Sequence, residues 1–138
     1  MNNQENKPEL LFADLPVGRM FKTLEYSVTR DLVQEFMETV GDRHPLYQKG
    51  FAPPGLAAIY ARLSYLQDHT MPSGGVLAKQ EFEFQNPAKI GDTLKVQAKV
   101  IESYLDEKER KRVNFLIEAQ DQKGMPVSTI RLYAIWPK

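Results

Sequence analysis

An acid, an imidazole and a phenol stand close together in the stretch Gly41-Asp42-Arg43-His44-Pro45-Leu46-Tyr47. A carboxylate can hold water and take its proton, and an imidazole titrates in the range useful for proton transfer. A phenol, with an ordinary pKa of about 10, is a poor base at neutral pH but donates a hydrogen bond readily. Each residue also has a plainer reading. Asp42 follows a helix and can cap its own turn. Tyr47 can be a half-buried loop aromatic with its hydroxyl satisfied. His44 lies only two residues from Asp42, and in a loop its ring can point elsewhere. The other histidine, His69, falls just past a helix and suggests no chemistry. The chain has no cysteine, which excludes a disulfide framework, a thiolate nucleophile and a cysteine zinc site. His, Asp and Glu nowhere gather at ligand spacing, so no metal and no cofactor are expected.

The elements that must position these residues are legible from periodicity. Residues 1–9 are polar and read as a disordered tail, with a single domain over 10–138. Phe21–Val28 reads as a first strand. Thr29 can cap a helix in which Leu32, Val33, Phe36, Met37 and Val40 share one face. Gly41 ends it, as glycine does past a helix C-terminus. Gly41–Pro54 is a loop punctuated by glycine and proline. Gly55 opens a second helix to about Gln67, with Leu56, Ile59, Tyr60, Leu63 and Leu66 on one face and alanines on much of the rest. Nearly apolar all round, it is expected to be buried. Four alternating segments follow, around Phe82, Leu94–Val100, Val113–Ala119 and Ile130–Trp136, read as strands with hairpin links. Asp106–Arg112 carries charges of both signs and reads as a solvated hairpin tip. The class is α+β: an antiparallel sheet wrapped around one long buried helix at about 55–67, which is the hotdog architecture.

Lysines and arginines balance aspartates and glutamates at 18 each. No basic excess points to nucleic acid or an anionic membrane, and no helix pair is left over for DNA binding. No apolar run has the length of a membrane helix, and the polar N-terminus lacks a signal-peptide core. The expectation is a cytoplasmic protein that partners neither nucleic acid nor membrane, and a net charge of zero makes self-association unsurprising.

Three stretches carry a further pattern: Val40-Gly41-Asp42-Arg43-His44-Pro45-Leu46-Tyr47, then Ala52-Pro53-Pro54-Gly55, then Phe84-Gln85-Asn86-Pro87-Ala88-Lys89-Ile90-Gly91-Asp92-Thr93-Leu94. In this order, and spread over residues 20–136, they resemble the MaoC-like hydratase/dehydratase family. The first is similar to the family's Gly-Asp-x-Asn-Pro-aliphatic-His, the second to its glycine-containing lead into the buried helix, and the third to its Phe-x-x-Pro…Gly-Asp-Thr-Leu strand and turn.

The resemblance implies reversible addition of water to a 2-enoyl thioester carried on coenzyme A or acyl carrier protein. Asp42 matches the family's water-holding Asp. Tyr47 stands where the family has its His, and His44 where it has Asn. Gly55, between Pro54 and Leu56, matches the backbone donor that stabilises the enolate oxygen, a role suited to a helix N-terminus. Asp92 matches a turn residue. The resemblance also implies pairing with a second hotdog subunit, as a homodimer or heterodimer. Two functions follow: a hydratase or dehydratase with an atypical site, or a non-catalytic acyl-binding subunit beside a catalytic partner. The absence of any acid from the buried helix argues against hotdog enzymes that place their acid there.

Overall fold

The computed structural model describes residues 7–138. Its elements are β1 (Leu24–Ser27), α1 (Arg30–Val40), α2 (Leu56–Tyr65), β2 (Val76–Phe84), β3 (Thr93–Leu105), β4 (Lys111–Gln120) and β5 (Pro126–Trp136), with short 3-10 turns at Phe12–Asp14 and Pro45–Lys49. The strands form one antiparallel sheet in the order β1-β3-β4-β5-β2. The sheet wraps around α2, so the expected hotdog architecture is the one the chain adopts.

The alternating patterns behave as period two requires. Leu94, Val96, Ala98 and Val100 on β3 are buried, as are Val113, Phe115, Ile117 and Ala119 on β4 and Ile130, Leu132, Ala134 and Trp136 on β5. Phe115 is the hub: it stacks on Tyr65 of α2 at 4.6 Å and meets Phe21 and Trp136. Stacked and tilted rings of this kind add to the area they bury.

Several boundaries differ from expectation. The first strand is regular only over Leu24–Ser27. Before it, the Gln97 side-chain amide interrupts the ladder by donating to the Phe21 carbonyl and accepting from the Thr23 hydroxyl at 2.9 Å. The β2–β3 link is not a hairpin, because β2 pairs with β5 at the far edge. The connecting segment spends its backbone groups on the loop ahead of α2 instead: Ala52 N–H donates to Ala88 and Ile90 N–H to Gly50, both at 2.8 Å.

The helix α2 is shorter than expected, ending where Leu66 N–H turns back to Leu63. It is also not covered on every side. Its sheet-facing stripe is Leu56, Ala57, Tyr60, Ala61, Ser64 and Tyr65, whereas Ile59 and Leu63 are 42% and 43% exposed. Ala57, Ala61 and Ser64 let the helix backbone approach the sheet, and Leu56, Tyr60 and Tyr65 fill the space beside them. Ile59 and Leu63 fall on the opposite side. Similarly, β2 sits at an edge, and Phe84, expected on the core face, is half exposed.

Residues 1–6 of the expected tail lie outside the described residues. Its last three are held against the loop after α2: Thr70 N–H donates to Pro8, Glu9 bridges Thr70, and Lys7 Nζ donates to Gln67. The lead-in that follows buries Leu10 and Leu15 completely, and the Trp136 indole donates to the Leu10 carbonyl at 2.7 Å.

Candidate active site

Local sequence fixes where Asp42 emerges. The Thr29 hydroxyl accepts from Leu32 N–H at 3.1 Å and starts α1, and Gly41 at φ 78° ends it with its N–H bonded back to Met37. That left-handed φ is costly for a residue with a Cβ, so the helix stops here and the chain turns away. Asp42 is the first residue beyond.

Pro45 then starts a 3-10 turn that brings Tyr47 back over Asp42. The Tyr47 hydroxyl donates to Asp42 Oδ2 at 2.7 Å. Tyr47 is only 8% exposed. Burial, the hydrogen bond to Asp42 and the carboxylate's charge together push its phenol from 10.0 up to about 12. At neutral pH it is therefore a fixed donor and not a base. Asp42 Oδ1 has no hydrogen-bond partner among the described residues, and Asp42 is partly exposed.

His44 sits at the head of the same turn, and its Nδ1 accepts from Leu46 N–H at 3.2 Å. Its ring lies 5.8 Å from that of Tyr47. The imidazole is thus a cap on the turn, with Nδ1 occupied, and is not bonded to Asp42.

The second half of the site forms around the start of α2. Pro53 is fully buried and Pro54 exposed. Neither proline has an N–H, so Gly55 carries the first backbone donor of this stretch, and that donor finds no acceptor among the described residues. Gly55 has a helical φ of −60°, so it is not needed for turn geometry. It is needed for space: a Cβ there would lie 2.7 Å from Phe36 Cζ on α1.

Cavities converge on Pro54, Gly55 and Leu56. One, of about 310 Å³, lies between α2 and the sheet and is lined mostly by apolar groups including Ala52, Pro54, Leu56, Leu94 and Val127, with Tyr60, Gln85 and Asn86 among them. A groove of about 650 Å³ runs between α1 and α2, past Leu32, Phe36, Val40, Gly55, Leu56 and Ile59. Asp42, Tyr47 and His44 are not in the walls of either.

The structure therefore brings together Asp42 with Tyr47, and Pro54 with Gly55 and Leu56. The two groups are joined through α1, whose Phe36 packs on Gly55 and whose end delivers Asp42. Asp92 is structural: its carboxylate accepts from Lys89 N–H at 2.8 Å and from Gln122 at 3.0 Å. Sequence reasoning missed two features. Phe36 counted only as one of a helical stripe, and nothing local marks it as the neighbour of Gly55. Ser128, whose hydroxyl lies 2.5 Å from that of Tyr60, is hidden in an apolar strand.

Comparison with known proteins follows the same lines. No curated protein matches the sequence. Among solved structures, the fold is similar to the R-hydratase PhaJ1 of Pseudomonas aeruginosa, with a TM-score of 0.75 and 24% identity over 94% of this chain and 87% of that one. It is also similar to the C-terminally truncated HadBC (3R-hydroxyacyl-ACP dehydratase) complex of Mycobacterium tuberculosis, with a TM-score of 0.72 and 20% identity over 86% and 96%. The MaoC-like dehydratase of Rhodospirillum rubrum gives a TM-score of 0.71 and 20% identity over 94% and 98%. At these identities the likeness speaks for the fold. The family described as the FAS1-like dehydratase domain region matches residues 16–130, and the chain belongs to that family.

Proposed function

We propose that this protein is an acyl-thioester hydratase/dehydratase of atypical site, acting on 2-enoyl or 3-hydroxyacyl groups carried by coenzyme A or acyl carrier protein. The observation that carries the reading is the unpaired Gly55 N–H at the head of α2, beside apolar cavities. A helix N-terminus combines a free donor with the positive end of the helix dipole, which suits an oxygen gaining charge.

In this reading, water held on Asp42 Oδ1 adds to C3 of the enoyl group as Asp42 takes its proton. The electron pair collects on the thioester oxygen, facing Gly55 N–H. Asp42 then returns the proton to C2. Tyr47 orients the carboxylate through Oδ2 and is not consumed. Pro54 and Leu56 flank the thioester, and His44 holds the turn that carries Tyr47.

A second subunit belongs to the proposal. Ile59 and Leu63 of α2 are exposed and β2 is an edge strand, and we take these as the face a second subunit covers. Antiparallel pairing of two β2 strands about Gln80 sets Lys79 of one copy against Glu81 of the other, a favourable cross-strand pair. A homodimer or a related hotdog partner covers this face. Among the described residues no helix is long and apolar enough to cross a membrane.

A second reading is a non-catalytic acyl-binding subunit beside a catalytic partner. It is favoured by Tyr47, a phenol held at about 12 where the family's His stands. The experiment that separates the two is hydration of short- and medium-chain 2-enoyl-CoA by the purified protein and by Asp42→Asn. Turnover lost in the variant supports the enzyme. Acyl-CoA binding without turnover supports the subunit.

A further inference from the structure

The apolar cavity between α2 and the sheet has polar groups at Gln85, Asn86 and Tyr60. The Gln85 and Asn86 amides already donate to Thr129 and Pro126, which leaves Tyr60 as the buried one. Val28, Ala52, Leu56, Leu94 and Val127 give it apolar walls, and Tyr60 lines it too. Leu56 and Tyr60 are four residues apart and so lie on one stripe of the helix. Tyr60 is 3% exposed, and its hydroxyl lies 2.5 Å from Ser128 Oγ, itself 1% exposed.

Two hydroxyls carry two protons, and the bond between them uses one. Neither hydroxyl has another partner among the described residues, so one O–H remains. Tyr60 meets the cavity and Ser128 does not. We take Ser128 as the donor to Tyr60, which leaves the phenol's own proton spare on the member of the pair that lines the cavity. Burial pushes the Tyr60 phenol above its ordinary value, which keeps it a donor. A buried donor without an acceptor is unfavourable, so a ligand that supplies one gains over a ligand that does not.

We propose that Tyr60, oriented by Ser128, is a specificity-determining residue that selects acyl chains bearing an oxygen acceptor over plain alkyl chains. This rests on reading the cavity as the acyl site. The position of the acceptor follows from helix geometry. At 1.5 Å per residue, Tyr60 stands ~7.5 Å along the axis from Gly55. An extended chain advances roughly 1.2 Å per bond, which puts the acceptor about six bonds from the thioester carbonyl.

The test is calorimetric binding of octanoyl-CoA and 7-oxo-octanoyl-CoA. The wild type is expected to bind the oxo chain roughly three- to tenfold more tightly, as one added hydrogen bond allows. Tyr60→Phe should bring the ratio to about one. Because that change strands Ser128, the double variant Tyr60→Phe with Ser128→Ala, which removes both hydroxyls together, provides a fold-safe version with the same expected ratio. Ser128→Ala alone should reduce the preference without abolishing it, because the phenol stays but loses the partner that orients it. Equal affinities in the wild type, or a preference that survives in Tyr60→Phe, overturn the proposal. If folded protein binds neither thioester, the acyl-site reading itself fails and takes this proposal with it.

Discussion

The Phe36 ring occupies the space into which a side chain at position 55 would grow, with Cζ 2.7 Å from where a Cβ would stand. This contact holds α1, the helix at whose end Asp42 emerges, against the head of α2. Gly55→Ala keeps the N–H but forces the ring aside, at a cost of about 1–3 kcal/mol. Thermal unfolding should show the loss, and Phe36→Leu in the same chain should recover most of it. Strictly additive losses would mean that the two positions do not press on each other.

Tyr47 supplies a pH test. Its phenol is raised in the folded state, so the folded protein holds that proton more tightly than the unfolded chain. The resulting stabilisation, on the order of 2 kcal/mol, is complete below pH 10 and is lost as pH rises toward 12. Burial also raises Tyr26, Tyr60 and Tyr65, so the comparison must be with Tyr47→Phe. Subtracting the tyrosinate absorbance of the variant should leave one phenol titrating near 12. Asp42→Asn should bring that midpoint down part of the way to 10.0, because burial, the first cause, remains. A Tyr47 midpoint of 10 in the wild type would deny the buried bond.

Replacing the phenol by an imidazole should raise activity. Tyr47→His puts a group of ordinary pKa about 6.5 beside Asp42, and general acid–base help of this kind is worth roughly a hundredfold or more. Enoyl-CoA hydration should increase at least tenfold, on the conservative side of that range, and gain an acidic limb in its pH profile. An unchanged rate would count against a hydratase geometry around Asp42.

The uncovered face predicts self-association. Leu63→Asp places a charge on the exposed side of α2, away from the sheet. It should leave unfolding cooperative while shifting the protein to monomer in sedimentation or light scattering. A wild type already monomeric at high concentration would contradict pairing through this face.

Much of this was legible in the sequence, and the exceptions have physical causes. Thr29, the apolar stripe and Gly41 announce α1 to the residue, because capping and left-handed backbone are local chemistry. Alternation announces β3, β4 and β5, since each has one buried face. The β2 pattern promised a core face it does not fill in one chain, because alternation cannot tell a central strand from an edge. On α2 the aliphatic count favoured Ile59 and Leu63, whereas the stripe facing the sheet is Leu56, Ala57, Tyr60, Ala61, Ser64 and Tyr65. At the site, the family resemblance suggested Asp42 with Tyr47, which the turn started by Pro45 brings together. The Phe36 contact and the Tyr60–Ser128 pair depend on tertiary packing across up to 68 positions, and no local pattern carries them. The His44 cap is local, a bond from Leu46 N–H two residues on.

The most direct test of the account is hydration of 2-enoyl-CoA, followed as loss of the conjugated thioester absorbance, with wild type and Asp42→Asn side by side. Asn keeps an acceptor for the Tyr47 hydroxyl, whereas Ala would leave it unpaired at about 1–3 kcal/mol. The account predicts turnover by the wild type and its loss by at least a hundredfold in the variant, with unfolding little changed. Equal turnover in both proteins, or none in a wild type that binds the substrate, would contradict Asp42 as the residue that activates water.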